Sequence, residues 1–398
     1  MRYAFSLASL MVLNHLLPVD AADVVSMPIH FLYAKSNKVT TPMMVGSVSQ
    51  QTGQTMEVVV DFGSRDFWLF SPNATVNYGS RYLGFEGACN AKPSDFYHPS
   101  NGTTIYDFVG SYSYGGNSKT FRADKAVNDT LFFPSYLPGS PIPNIQVALV
   151  NHGQIRQPVP AGTPCPELSY NQCIMGLMSL KPNEPSGPNI KANLLAQSRI
   201  QASQVSMYFT PPPNDAPIAY NHTGTLLFGA LPPRDSYTGE LVSTPLVTPQ
   251  DGRSGYYIAQ LPISYNGTRI PADEPDEPCY IDSGSLALSL PYNVEDSDFF
   301  TRTGLQNYSN AVMYPSDCED IPRDLSLDFG VGPSTTVKVP YRNLATGGKG
   351  PGAVIPKGMC PLSVALGGKC TLGAPWFLGM AVGVDDKAGL VWIAQGKA

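Results

Sequence analysis

Short runs of residues, either alternating apolar with polar or apolar throughout, recur along the chain with Gly, Pro, Asn or Asp between them. The clearest are residues 56–60, 66–70, 205–209, 224–228, 256–263, 287–290 and 390–394. Runs of this kind predict strands separated by turns. Helical periodicity is scarce, and residues 191–198 and 294–303 are the best candidates for short helices. Pro211, Pro212 and Pro213 stand together within residues 210–217. Consecutive prolines lack the N–H groups that a sheet ladder needs, so this segment predicts a linker between residues 22–212 and residues 213–398.

Composition sharpens this picture. Hydrophobic residues make up 42% and charged residues 14% of 398, with 37 Gly and 38 Pro. That balance suits a mostly β protein with many turns, and the length suits two cores rather than one. A formal charge of -6 with no cluster of Lys or Arg gives no footprint for nucleic acid or an anionic membrane surface. Residues 1–21 have a basic start, an apolar stretch and small residues at the end, the layout of a signal peptide. Nothing else is apolar for long enough to predict a membrane span or anchor. Six N-x-[ST] sequons, at Asn73, Asn101, Asn128, Asn221, Asn266 and Asn307, fit a secreted, extracellular glycoprotein. Seven cysteines in an oxidising compartment allow three disulfides and one leftover thiol, and the lack of a C-x-x-C pair argues against a metal or redox site.

The two halves echo each other. Val58-Val59-Val60-Asp61-Phe62-Gly63-Ser64 is matched by Cys279-Tyr280-Ile281-Asp282-Ser283-Gly284-Ser285, and Ile174-Met175-Gly176 by Thr371-Leu372-Gly373. Such an order, once per half, predicts a duplication that brings Asp61 and Asp282 together. An aspartate that ends an apolar strand and enters a Gly turn is held firmly, and the glycine lets another backbone come close. The serine three residues on is expected to hydrogen-bond the carboxylate. Two facing carboxylates cannot both ionise cheaply, so they share a proton, the arrangement needed for general acid and base hydrolysis through water. Other chemistries lack their parts. Asp61-Phe62-Gly63 spells a kinase triplet without an H-R-D loop, and the five histidines sit in no nucleophile motif.

Over nearly its whole length the chain resembles the pepsin-like aspartic proteases (peptidase family A1), of secreted, fungal type. Residues 61–69 are similar to the first family motif and residues 282–291 to the second. Ser113-Tyr114-Gly115-Gly116 resembles the flap hairpin, and Gly224–Gly229, Leu372-Gly373-Ala374-Pro375 and Ala388-Gly389-Leu390 resemble markers of the second lobe. The resemblance implies a mostly β, bilobal fold, with two pseudo-twofold-related, barrel-like lobes and a central cleft. It implies Asp61 and Asp282 as catalytic residues, with Gly63, Ser64, Trp68, Tyr114, Gly115, Gly284 and Ser285 around them and the Tyr114 hydroxyl near the Trp68 indole. It also implies a Cys318–Cys360 disulfide. The other five cysteines stay open; one arrangement pairs Cys165 with Cys173 and Cys279 with Cys370, leaving Cys89 free. The activity implied is that of a monomeric endopeptidase cutting proteins or peptides at acidic pH without a metal or other cofactor.

Three departures point to an alternative, a catalytically weak relative that binds a peptide or partner protein. Phe62 takes the usual Thr position and Leu286 replaces a common hydroxyl residue. Only about 40 residues separate the expected cleavage site from Asp61, which leaves no room for the basic prosegment of family zymogens. The phenyl ring must either turn away from the pseudo-twofold axis or push the two Asp turns apart.

Overall fold

The computed structural model describes residues 24–33, 37–46, 53, 55–79, 89–100, 103–134, 141–156, 159, 164–166, 172–180, 187–274, 276–295, 297–346, 355–367 and 369–397. The expected signal peptide at 1–21 and the sequon at Asn101 lie outside them. Strands dominate. The largest sheet has 14 strands among the described residues and runs through both halves of the chain.

Its central floor joins the halves by hydrogen bonds. The Val25–Phe31 strand pairs with His222–Phe228, and Gln204–Phe209 pairs with both His222–Phe228 and Met380–Asp385. The linker segment after Phe209 carries no strand, and its tripled prolines explain why. Because the strands on either side of it pair with one another, the chain crosses between halves without leaving the sheet.

Above this floor the two halves repeat one pairing scheme. The Met56–Asp61 strand lies parallel to Ile174–Gly176, with Asp61 opposite Gly176. Cys279–Ile281 lies parallel to Thr371–Leu372 in the same way. In each half the strand following the aspartate returns antiparallel to that same short segment, as Phe67 opposite Met175 and Ser289 opposite Thr371. The glycines of the repeat are there for space. A Cβ on Gly176 would stand 2.5 Å from the Arg65 backbone, and one on Gly373 would stand 2.0 Å from the Ala287 carbonyl oxygen.

Several elements differ from the sequence pattern. The run at 256–263 forms two strands, Tyr257–Ile258 and Ile263–Tyr265, in different sheets. Pro262 lies between them, without an N–H to continue a ladder. The strand begun at Phe67 runs on to Tyr78 through a register break between Phe70 and Thr75. The two seven-residue helices among the described residues are Ile190–Ala196, where the Asn189 side chain caps the Ala192 N–H, and Ser297–Thr303; Tyr341–Leu344 and Ala374–Phe377 are single turns.

Three disulfides are formed among the described residues: Cys318–Cys360, Cys279–Cys370 and Cys89–Cys165. The last corrects the arrangement in which Cys165 met Cys173 and Cys89 stayed free. Cys173 is the buried free thiol. Its carbonyl accepts the Val59 N–H at 2.9 Å, which fixes its backbone beside the Asp61 strand and turns its sulfur into the core. There burial pushes the thiol up to about 12, so it is an inert core residue. The sequons at Asn73, Asn128, Asn221, Asn266 and Asn307 are exposed.

Candidate active site

Asp61 is the last residue of its strand, and the chain turns at once through Phe62 and Gly63. The Gly63 N–H donates to Asp61 Oδ1 at 2.7 Å. On the other side of the interface, the Gly284 and Ser285 N–H groups donate to Asp282 Oδ1 at 3.0 and 3.1 Å. The turns face each other closely enough that each glycine lies under the opposite carboxylate. A Cβ on Gly63 would stand 2.5 Å from Asp282 Oδ1, and one on Gly284 would stand 2.7 Å from the Asp61 carboxyl carbon. Only a residue without a side chain fits either place.

The two carboxyls therefore lie close together at the interface. Burial and then the nearby Asp61 carboxyl hold Asp282 well above the ordinary carboxylate range, against the pull of the Gly284 and Ser285 amides. The pair therefore keeps one proton in a pH range where isolated aspartates have lost theirs.

The serines of the two motifs do not act as the pattern suggested. The Ser64 hydroxyl is buried without a hydrogen-bond partner among the described residues, and Ser285 Oγ donates to the Ala287 carbonyl at 3.3 Å. Tight turns aim backbone N–H groups at the carboxylates, which leaves the hydroxyls outside. Ser283, by contrast, spans the interface: its Oγ donates to the Val60 carbonyl at 2.7 Å and accepts the Phe62 N–H at 3.0 Å. Phe62 cannot return the contact. Its ring is fully buried, stacks on Phe377 at 5.5 Å and meets Tyr256 edge-on at 6.2 Å. The ring has turned into an aromatic slot, and the turns are not forced apart.

That slot is anchored by a buried ionic cluster between the halves. The Tyr256 hydroxyl donates to Asp386 Oδ1 at 2.6 Å, Ser179 Oγ donates to Asp386 Oδ2 at 2.7 Å, and Lys191, with no exposed side-chain surface, pairs with the same carboxylate. Asn189 adds a second brace, donating to the Arg65 and Met178 carbonyls at 2.6 and 2.9 Å and so clamping the loop after Asp61. Neither feature is legible in the sequence, because the partners are far apart along it and belong to no motif.

Over the dyad hangs a hairpin of two long strands, Thr104–Tyr114 and Lys119–Phe132. Gly115 and Gly116, with φ of 56° and 62°, make the left-handed bend at its tip. The Trp68 indole N–H donates to the Tyr114 hydroxyl at 2.8 Å, and the buried indole stacks on Tyr112. A cleft of about 460 Å³ holds both aspartates and Tyr114, and a second cavity of about 220 Å³ opens beside Tyr114 and Gly63. Leu286, half-exposed, lines the larger one. Tyr280, missed in the sequence, also lines it and donates across the interface to the Gly63 carbonyl at 2.6 Å.

This is the architecture of a pepsin-like protease: two lobes related by a pseudo-twofold axis, with one aspartate from each at a shared cleft. The crystal structure of an aspartic proteinase from Irpex lacteus has the same fold, with a TM-score of 0.60 at 17% identity over 94% of this chain and 97% of that one. Candidapepsin-2 of Candida parapsilosis is 26% identical over 322 residues, 78% of this chain and 66% of that protein's length. The model of the eukaryotic aspartyl protease family matches residues 40–353. The chain belongs to that family.

Proposed function

We propose that the protein is a secreted aspartic endopeptidase that hydrolyses peptide bonds at acidic pH, with Asp61 and Asp282 as its catalytic pair. The observation that carries this reading is the pairing of the two Asp turns, each glycine lying under the opposite carboxylate at the floor of one cleft, with burial and its neighbour's charge raising the Asp282 pKa. The aspartic protease dyad is itself the standard instance of two carboxylates sharing one proton. The ionised member takes a proton from a water molecule as the water oxygen bonds to the scissile carbonyl carbon. The protonated member gives its proton to the carbonyl oxygen. Collapse of this intermediate breaks the C–N bond as the protonated carboxyl gives its proton to the nitrogen and the other carboxylate takes one from a hydroxyl of the gem-diol, so the dyad ends with the single proton it began with.

The cavities on either side of Tyr114 suit an extended peptide passing beneath the hairpin, and the lobes are taken as residues 22–212 and 213–398. The exposed sequons fit glycosylation of a secreted monomer. Phe62 favours a second reading, a weakened enzyme that chiefly binds its peptide, since the crossing bonds of Ser283 have no counterpart from position 62. Digestion of an unfolded protein across pH, with and without a pepstatin-type inhibitor, separates the two. Inhibitable cleavage confined to acid supports the enzyme; inhibitor binding without cleavage supports the binding protein.

A further inference from the structure

The two Asp turns are alike in outline but not in support. Asp282 Oδ1 accepts two backbone N–H groups, from Gly284 and Ser285, whereas the Asp61 carboxylate accepts one, from Gly63, among the described residues. The bond that closes each turn differs as well. The Ser285 N–H reaches the Asp282 carbonyl at 3.1 Å, and the Ser64 N–H reaches the Asp61 carbonyl at 3.4 Å. Ser283 braces the first turn at Val60 and Phe62, but position 62 itself adds no side-chain bond across the interface, because its ring is packed on Phe377. By its own bonds, the turn that carries Asp61 is the looser of the two.

Tyr280 holds that turn farther along. Its hydroxyl comes from the Cys279–Ile281 strand of the other lobe and donates to the Gly63 carbonyl at 2.6 Å. The matching step in the first half is Val59, which has no donor, so the second turn receives no equivalent bond. The Tyr280 ring is held independently of its hydroxyl. It stacks on Tyr257 at 4.7 Å with the planes 19° apart, and the Arg253 guanidinium lies over the Tyr257 ring at 5.3 Å. Gly255 leaves the ring its room, since a Cβ there would stand 2.4 Å from Tyr280 Cε2. Burial and then the charges of Asp282 and Asp61 raise the Tyr280 pKa, with Tyr257 adding to them and Arg253 opposing. The hydroxyl therefore stays protonated, and a donor, throughout acid and neutral pH.

We propose that Tyr280 is a positioning residue of the dyad: its hydroxyl clamps the Gly63 peptide so that the Gly63 N–H stays aimed at Asp61, a hold from the second lobe that position 62 does not supply. Glycine turns more freely about its backbone bonds than any other residue, so a tether on its carbonyl side matters to where its N–H points. The competing role for Tyr280 is that of a cleft wall touching only the peptide, which would alter KM and leave the carboxyls as they are. The consequence for turnover rests on the endopeptidase reading; the hold on the turn does not.

The test is Tyr280→Phe, which removes the hydroxyl and keeps the stacked ring, compared with wild type after both are confirmed as folded. One readout is the titration of the Asp61 and Asp282 carboxyls, followed by carboxyl-carbon NMR with Asp61→Asn and Asp282→Asn for assignment. The other is kcat and KM on a peptide across acidic pH. A weakened N–H bond to the ionised carboxylate disfavours that form, so the lower apparent pKa of the pair should move up by about 0.5 or more, and the acid limb of the kcat/KM profile with it. At the same time kcat should fall about tenfold or more while KM changes little. A titration that Tyr280→Phe leaves unchanged overturns the clamp, whatever happens to turnover, and so does a kinetic change confined to KM. A shifted titration in a protein that cleaves no peptide at any acidic pH would leave the clamp standing and remove the endopeptidase reading. Equal cleavage by both proteins with unchanged titration would do the reverse.

Discussion

At position 62 a phenyl ring stands where the family resemblance implies a hydroxyl reaching across the interface. Ser283 makes its crossing bonds with no return from position 62, while the ring fills the slot against Phe377 and Tyr256. Phe62→Thr removes a buried aromatic side chain, so it should cost about 3 kcal/mol of stability. If the new hydroxyl reaches the opposite backbone, turnover should rise about tenfold, since small errors in the placement of catalytic groups are expensive in rate. Denaturant titration and kcat, measured on one preparation, check both. A stability loss with lower turnover would mean that the ring itself positions the turn. Asp282 gives a second expectation. Its folded-state pKa is raised, so the folded state holds the proton more tightly than the unfolded chain, and stability falls as pH rises from about 4 through the folded value. Asp282→Asn should therefore raise the melting temperature at neutral pH and leave it unchanged below about pH 4. An equal gain at both pH values would contradict the shared-proton account.

Two elements bind the halves together, and each has its own weakness. The His222–Phe228 strand joins the first and last parts of the chain, and its first residue is buried among Tyr33, Phe209 and Tyr220 with Nδ1 lacking a hydrogen-bond partner among the described residues. Burial pushes His222 down to about 4. A histidine with a lowered folded-state pKa leaves stability untouched above its unfolded value and reduces it as pH falls from about 6.5 toward the folded value. His222→Phe should thus raise the melting temperature at about pH 4 while changing it little at about pH 7, where the wild-type ring is neutral in both states. The Ile190–Ala196 helix carries the other element, Lys191, into its buried contact with Asp386 and Tyr256. Asp386→Ala leaves that ammonium buried and uncompensated, so it should cost about 3–5 kcal/mol in a denaturant titration. Lys191→Met, with an apolar side chain of similar length, should cost less. The reverse ranking would show that the cluster is not held by the pairing.

For the molecule as a whole, the features legible in the sequence are those repeated in both halves. The apolar-Asp-x-Gly-Ser frames and the later apolar-apolar-Gly segments were visible because the same packing problem is solved twice, with the same residue types at the same steps. Tyr114 and Trp68 were legible only through the family resemblance of the segments that carry them. Ser64 was misread, because the turn brings backbone N–H groups to the carboxylates ahead of any hydroxyl. The Cys89–Cys165 pairing and the Tyr256–Asp386–Lys191 cluster depend on chain segments that meet only in the folded state, and no spacing announces them. The central claim is that Asp61 and Asp282 act as one proton-sharing pair that hydrolyses peptide bonds. Its most direct test is the pH profile of kcat/KM on an unfolded protein for wild type, Asp61→Asn and Asp282→Asn, each confirmed as folded. The account predicts wild-type activity that is confined to acid and lost as the second carboxyl ionises, with no activity in either variant. Undiminished cleavage by either variant would contradict it.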